Sequence, residues 1–96
     1  MSTTDEVIKQ RGEVYGDFFE GITLEAQIIQ LIKDRYKHHY GLEMGLVYQM
    51  YFSKIAMKLS RLAITPDHVD SWTDIAGYAR LIELHLLKRV ENAKNP

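Results

Sequence analysis

The segment KIAMKLSRLAITPDHVDSWTDIAGYARL, residues 54–81, decides the fold. Its first half sets Lys54, Lys58 and Arg61 at i, i+4 and i+7, on one face of a helix that Val47 and Tyr51 extend by two turns. Thr65-Pro66-Asp67 then interrupts the pattern, because proline lacks an amide hydrogen and fixes φ. Helical spacing resumes at Asp70-Ser71-Trp72-Thr73-Asp74-Ile75-Ala76-Gly77-Tyr78. Two helices joined by so short a turn lie antiparallel. The hairpin therefore carries the cationic stripe towards Asp70, Asp74 and the Tyr78 hydroxyl, which predicts a site for a charged ligand.

Working outward, Gly41 separates the hairpin from an earlier helix, and the third helix is expected from about Leu42 to Ala63. Leu46, Met50 and Met57 lie on one side of it, and Tyr48, Phe52, Ile55, Leu59 and Leu62 on another. A helix apolar around most of its circumference belongs in the middle of a bundle or at a subunit contact. Upstream, Thr3-x-x-Glu6 has capping-box spacing, so a short first helix starts at Thr3 and stops near Arg11-Gly12. Tyr15-Gly16-Asp17 is the turn into a second helix capped by Asp17, whose stripe Phe18, Ile22, Ala26, Ile29, Ile32, Tyr36 and Tyr40 is expected in the core. In the fourth helix, Asp70 or a near neighbour is the cap, with Trp72, Ile75, Ala76, Ala79, Ile82 and Leu86 inward. Residues from about Glu91 onward read as a flexible tail.

With two prolines, one of them terminal, and no alternation of β type, the chain reads as one all-α domain over residues 1–96. The architecture is a small helical bundle: a short N-terminal helix and turn over residues 1–16, then three longer helices. Two neighbours and one short helix cannot cover a long helix that is apolar on two faces, so a homo-oligomer is expected.

Composition removes several functions. A net charge of −1 leaves no global field for nucleic acid or an anionic membrane, so no sequence-specific nucleic-acid partner is expected. The absence of cysteine removes disulfides, thiolate metal sites and a thiol nucleophile. Met1-Ser2-Thr3-Thr4-Asp5-Glu6 lacks the basic and apolar regions of a secretion signal, and no apolar run is long enough for a bilayer. A cytoplasmic location without membrane contact is the expectation.

Three like charges on one stripe repel, and an anionic partner must offset that. The structural partner is Asp70 or Asp74 across the turn; the functional one is a phosphate, which lysine meets as a point charge and arginine as a two-pronged donor. Asp70 itself reads as a helix cap. Asp74 lies beside Trp72 and Ile75 and one turn before Tyr78, and a partly buried carboxylate there needs a partner. Gly77, inside a helix, marks close helix packing or room for a ligand. The second informative string is Arg11-Gly12-Glu13-Val14-Tyr15-Gly16-Asp17-Phe18. On a loop, its two glycines would let backbone amides approach an anion, with Arg11 as a donor and Tyr15 as a stacking surface; the alternative is a tight turn with Tyr15 over the core. His38 and His39 are adjacent and diverge by about 100° on a helix, so they do not share a metal. His68 and His85 stand alone and read as surface or cap residues.

Arg11-Gly-x-x-Tyr-Gly-Asp-Phe18, Lys58-Leu-Ser-Arg-Leu62 and Asp70-Ser-Trp-x-Asp-Ile-Ala-Gly-Tyr78 together resemble an uncharacterised family of short bacteriophage and prophage proteins, a domain of unknown function. The likeness spans Arg11 to about Leu84 and implies, for a phage-encoded chain, work in the host cytoplasm, where capture of a host signalling nucleotide would be an anti-defence role. The hairpin also resembles, more distantly, the MazG-type all-α nucleoside triphosphate pyrophosphohydrolases. In those enzymes a Glu-x-x-Glu helix faces a Glu-x-x-Asp helix and four carboxylates hold magnesium. Here Lys54, Lys58 and Arg61 stand where the first acidic pair would be, and only Asp70 and Asp74 remain of the second, at spacing four. Two carboxylates facing cations make a poor magnesium cage.

The reading is therefore a bundle that binds a phosphorylated, nucleotide-like small molecule without turnover and without a cofactor. Arg11, Lys54, Lys58 and Arg61 would take phosphate charge, Tyr15 or Tyr78 would stack or donate, and Asp74 would orient the cations or read a base or ribose. The alternatives are a divergent pyrophosphohydrolase using Mg2+ on Asp70 and Asp74 with Glu20, Glu25 or Glu43, and a non-catalytic protein interaction module.

Overall fold

Thr3 opens the chain's first helix by reciprocal capping: its hydroxyl accepts the Glu6 amide and its own amide donates to the Glu6 carboxylate, both at 3.2 Å. The computed structural model describes residues 3–94. Met1, Ser2, Asn95 and Pro96, the outer ends of the segments read as leader-free start and as tail, lie outside them. Among the described residues there are four helices and no strand: α1 (Thr4–Tyr15), α2 (Phe18–Tyr40), α3 (Leu46–Leu62) and α4 (Val69–Lys94). The protein is an all-α helical bundle, and no described helix is long and apolar enough to cross a membrane.

Boundaries differ from the sequence expectation where glycines compete. Helix α1 runs through Gly12 and stops at Gly16, whose φ of 81° and ψ of −169° lie in a region practically reserved for glycine. Gly12 is tolerated inside the helix, so the pair of glycines does not form the loop expected for anion contact. The Gly16 amide is also spent, donating to the Gly12 carbonyl at 2.9 Å. Asp17 caps α2 by accepting the Glu20 amide at 3.0 Å, and Gly41 closes it in the left-handed conformation. Helix α3 begins at Leu46 instead of Leu42, because Gly41 turns the chain away and Gly45 takes the cap position. There the Gln49 side-chain amide donates to the Met44 carbonyl at 2.7 Å, and Met44 is buried. At the other end of α3, the Ile64 and Thr65 amides both donate to the Arg61 carbonyl at 3.1 Å. The His68 carbonyl then accepts the Ser71 amide at 3.1 Å, so His68 holds the position before α4 and exposed Asp70 falls in the first turn.

Helix α3 is the axis: it packs on α2, on α4 and on α1, while α2 and α4 make no contact with each other among the described residues. The three long helices thus form an open layer, with α1 against α2 and α3. The radius of gyration is 16.8 Å, against about 12.5 Å for a compact domain of this length. Only Met44, Ala56 and Leu62 are buried apolar side chains among the described residues. The core stripe expected on α2 is corrected accordingly: Ile29, Ile32 and Tyr36 are partly buried, but Phe18, Ile22 and Tyr40 are exposed. On α4, Ile75 and Ile82 are partly buried, whereas Trp72 and Ala79 are exposed. Amphipathic spacing says which face wants burial, but a layer covered on one side only satisfies part of it.

Candidate functional site

The hairpin delivers one of its three cations to an acid. Lys58 Nζ meets the Asp74 carboxylate at 2.8 Å, with the lysine side chain 9 % exposed and the aspartate 49 %. A buried ammonium needs a counter-charge, and this contact supplies it. Around the pair the polar groups are internally satisfied. Ser60 donates its hydroxyl to the Met57 carbonyl at 3.0 Å, and Ser71, 1 % exposed, shares a hydrogen bond with His68 Nδ1 at 2.8 Å. No buried side-chain polar atom among the described residues lacks a partner.

Arg61, one turn further on, turns the other way. Its guanidinium carbon lies 4.4 Å from the centroid of the Tyr15 ring, and Tyr15 meets the His68 ring edge-to-face at 5.6 Å. Three segments converge here: the last turn of α1, the end of α3 and the turn before α4. Two main-chain acceptors pin the turn in place. The Thr65 hydroxyl donates to the Val14 carbonyl, and the Trp72 indole N–H donates to the Pro66 carbonyl at 2.9 Å. Gly16 allows the close fit, since a Cβ there would lie 2.8 Å from Ile64 Cγ1.

Gln10, Arg11, Val14, Tyr15 and Arg61 line a cavity of about 290 Å3. Among the described residues neither Arg11 nor Arg61 is part of an ion pair, in contrast to Lys58. Beside this cavity, a second hollow of about 260 Å3 shares Arg11 and Tyr15 and is walled by Ile8, Phe18 and Phe19. Phe18 and Phe19 are 70 % and 76 % exposed and pack edge-to-face on each other at 5.4 Å. The pattern that marked Phe18 as core missed this aromatic shelf, and no feature of its spacing would have shown it exposed.

The remaining candidates separate from this cluster. Lys54 is exposed and enters none of the described ion pairs, and Tyr78 is partly buried one turn after Asp74. A Cβ at Gly77 would meet nothing within 4 Å, so close helix packing does not explain that glycine. His68, read from sequence as a surface or cap residue, does stand at the cap position before α4, and beyond that reading its ring packs on Tyr15. With Ser71 buried beneath it, the His68 and Ser71 pair holds the turn and presents no accessible hydroxyl nucleophile.

No group of three or more histidine, aspartate or glutamate side chains converges on a metal position among the described residues. Glu25 lines a neighbouring hollow with Ser60 and Arg61. Glu43 is committed elsewhere, at the far end of α2, by an ion pair with Lys37 at 2.9 Å. The hydrogen bond and charge of Lys37 hold the Glu43 carboxyl below its usual 4.5, and Glu43 raises Lys37 above its usual 10.5. Both groups lie in solvent.

Chemically, the arrangement offers two guanidinium groups without a counter-ion, one of them stacked on a phenol ring, next to an open aromatic surface. No curated protein and no solved structure matches the chain. A family model does match, over residues 1–85, and takes in every residue of this site: the chain belongs to the DUF6378 family, a domain of unknown function.

Proposed function

We propose that the protein binds a phosphorylated, nucleotide-like small molecule and holds it without turnover, as a self-associating bundle. The observation that carries this reading is the contrast between neighbouring cations. Lys58 is neutralised by Asp74, whereas Arg11 and Arg61 face a shared cavity with no carboxylate on either. Arginine suits that role, because its fork donates two parallel hydrogen bonds to a phosphate while its flat face stays on Tyr15. The cavity, at about 290 Å3, accommodates a phosphate group and part of a sugar, and lies at the small end of the range for small-molecule sites. A base would then lie against Phe18 and Phe19, where aromatic stacking is sequence-tolerant. Lys58 and Asp74 fix the end of α3 that aims Arg61, while Lys54 and Tyr78 lie apart from this cavity and are left out of the reading. The resemblance to short phage and prophage proteins supports sequestration of a signalling nucleotide in a host cytoplasm as the setting.

Turnover is not part of the reading, since Asp74 already faces an ammonium and magnesium would have to displace it. The test is titration calorimetry against nucleoside mono-, di- and triphosphates, in chelator and in magnesium. Binding that persists in chelator and falls at least tenfold in Arg61→Ala is expected, each charge-assisted contact being worth roughly 1.5–3 kcal/mol. Magnesium-dependent pyrophosphate release that disappears in Asp74→Asn would identify a hydrolase instead. No heat and no rise in melting temperature with any phosphate compound would leave an interaction module.

A further inference from the structure

Along the C-terminal half of α4, beside Ile55 of α3, runs a groove of about 430 Å3 lined by Ile55, Ala79, Ile82, Leu86, Leu87 and Val90. The one charged lining residue, Glu83, is held by Arg80 one turn away. Leu87 and Val90 are both more than half exposed. We infer that this groove is the self-association surface, closed by the α4 helix of a second copy in a two-fold symmetric dimer. This rests on the self-association part of the reading above and is independent of the ligand.

Area carries the argument. The chain exposes 7704 Å2, whereas a compact monomer of 11.2 kDa exposes about 5,700 Å2. The excess of about 2,000 Å2 per chain matches what a permanent homodimer removes, roughly 2,000–5,000 Å2 in total. The same accounting explains how a chain with three buried apolar side chains among its described residues could hold together. The second copy is the occupant because the groove is made almost wholly of α4, with Ile55 alone from α3: the apolar face of α4 is both what needs covering and what a second copy offers, so two-fold pairing satisfies both at once and leaves no open end to propagate. The flank has the polar character of an interface rim. Arg89 lies over the Tyr48 ring at 5.6 Å and donates to its hydroxyl at 3.3 Å, and the Tyr51 hydroxyl meets His85.

The chain has no cysteine, so single-cysteine variants report one position at a time. The full chain is sized by light scattering at tens of micromolar, and thiol labelling rates are measured in Leu87→Cys and in Asp5→Cys, an exposed position on α1. The expected result is a species of twice 11.2 kDa, with Leu87→Cys labelled at least tenfold more slowly than Asp5→Cys. In Leu86→Asp the dimer should be lost; if that variant fails to fold, the labelling ratio decides alone. A dimer whose Leu87→Cys reacts as fast as Asp5→Cys overturns this surface while leaving self-association standing. A monomer at tens of micromolar overturns both, and leaves the ligand reading untouched.

Discussion

The two ends of the α3/α4 hairpin are built on opposite principles. At the turn end, nearly every polar group is matched within the chain: Lys58 to Asp74, His68 to Ser71, Thr65 to Val14 and Trp72 to Pro66. At the open end, Ile82, Leu86, Leu87 and Val90 stand along a groove with nothing of their own chain above them. The first end has specific geometry around the buried Leu62; the second has apolar surface that its own chain leaves open. Hydrogen bonds and ion pairs are directional and close locally, while apolar burial needs area that a three-helix layer lacks. The polar end is therefore closed within one chain except at the Arg61 guanidinium, and the apolar end leaves its surface open.

The strongest challenge to the first half of that comparison is to break its ion pair. Asp74→Ala should cost about 1–3 kcal/mol in urea unfolding, because it strands a buried ammonium; water reaching the half-exposed carboxylate keeps the loss below the roughly 3–5 kcal/mol of a fully buried pair. Replacing both partners, Lys58→Met with Asp74→Ala, should recover stability to within about 1 kcal/mol of the wild type. A double variant no better than Asp74→Ala would mean that the pair is not what holds this end.

Two glycines of α1, Gly12 inside the helix and Gly16 closing it, give a sharper contrast. Gly16→Ala must adopt a positive φ at a cost of about 1–3 kcal/mol and push Ile64 aside, loosening Tyr15 beneath Arg61. Gly12→Ala meets nothing within 4 Å and should instead raise the melting temperature, by the roughly 0.5–1 kcal/mol that alanine gains in a helix. Thermal melts of the two variants shifting in the same direction would refute the assignment of Gly16 as the constrained corner.

Caps come next in size. Thr3→Ala removes the hydroxyl that accepts the Glu6 amide, while the backbone amide at position 3 can still donate to the Glu6 carboxylate, and should cost about 1 kcal/mol, read as loss of α1 helicity with the α3/α4 hairpin unaffected. If amide exchange in the hairpin accelerated equally, α1 would be part of one cooperative unit with it and the two ends would not be separable.

The smallest effect is electrostatic. Glu43 titrates below 4.5 in the folded chain, so its contribution is fully present above pH 4.5 and is lost as pH falls through the lowered value. Lys37 titrates above 10.5, so its contribution is present below that pH and lost as pH rises through the raised value. Both are exposed, and stability should barely register either loss. A carboxyl titration followed by NMR should show Glu43 returning towards 4.5 in Lys37→Ala; an unchanged midpoint would assign the depression to another cause.

Much of the fold was legible in the residues. Thr3-x-x-Glu6, Asp17 after Gly16, and Gly41 mark helix ends by local hydrogen-bond chemistry, and each acts within a few residues of itself. The stretch Leu42–Gly45 was misread as helix because apolar residues there fit the period, while two glycines so close together favour a turn. Spacing brought the stripe Lys54, Lys58 and Arg61 towards Asp70 and Asp74 without choosing a pair, and the structure selects Lys58 with Asp74. Spacing did not place Arg61, since one stripe on a helix predicts a shared face and says nothing about which neighbour each long side chain meets.

By itself, then, the sequence determined that the chain is all-α, that Thr3, Asp17 and Gly41 mark helix ends, where the hairpin turn lies, and that a cation meets an acid across it. Those are consequences of backbone hydrogen bonding and of a 3.6-residue period, which need no distant partner. Tertiary structure alone decided that α1 docks Tyr15 under Arg61, that Lys58 is neutralised while Arg11 and Arg61 are not, and that α2 and α4 stay apart on either side of α3. Those depend on which surfaces meet across many residues, and periodicity gives a face without naming what covers it.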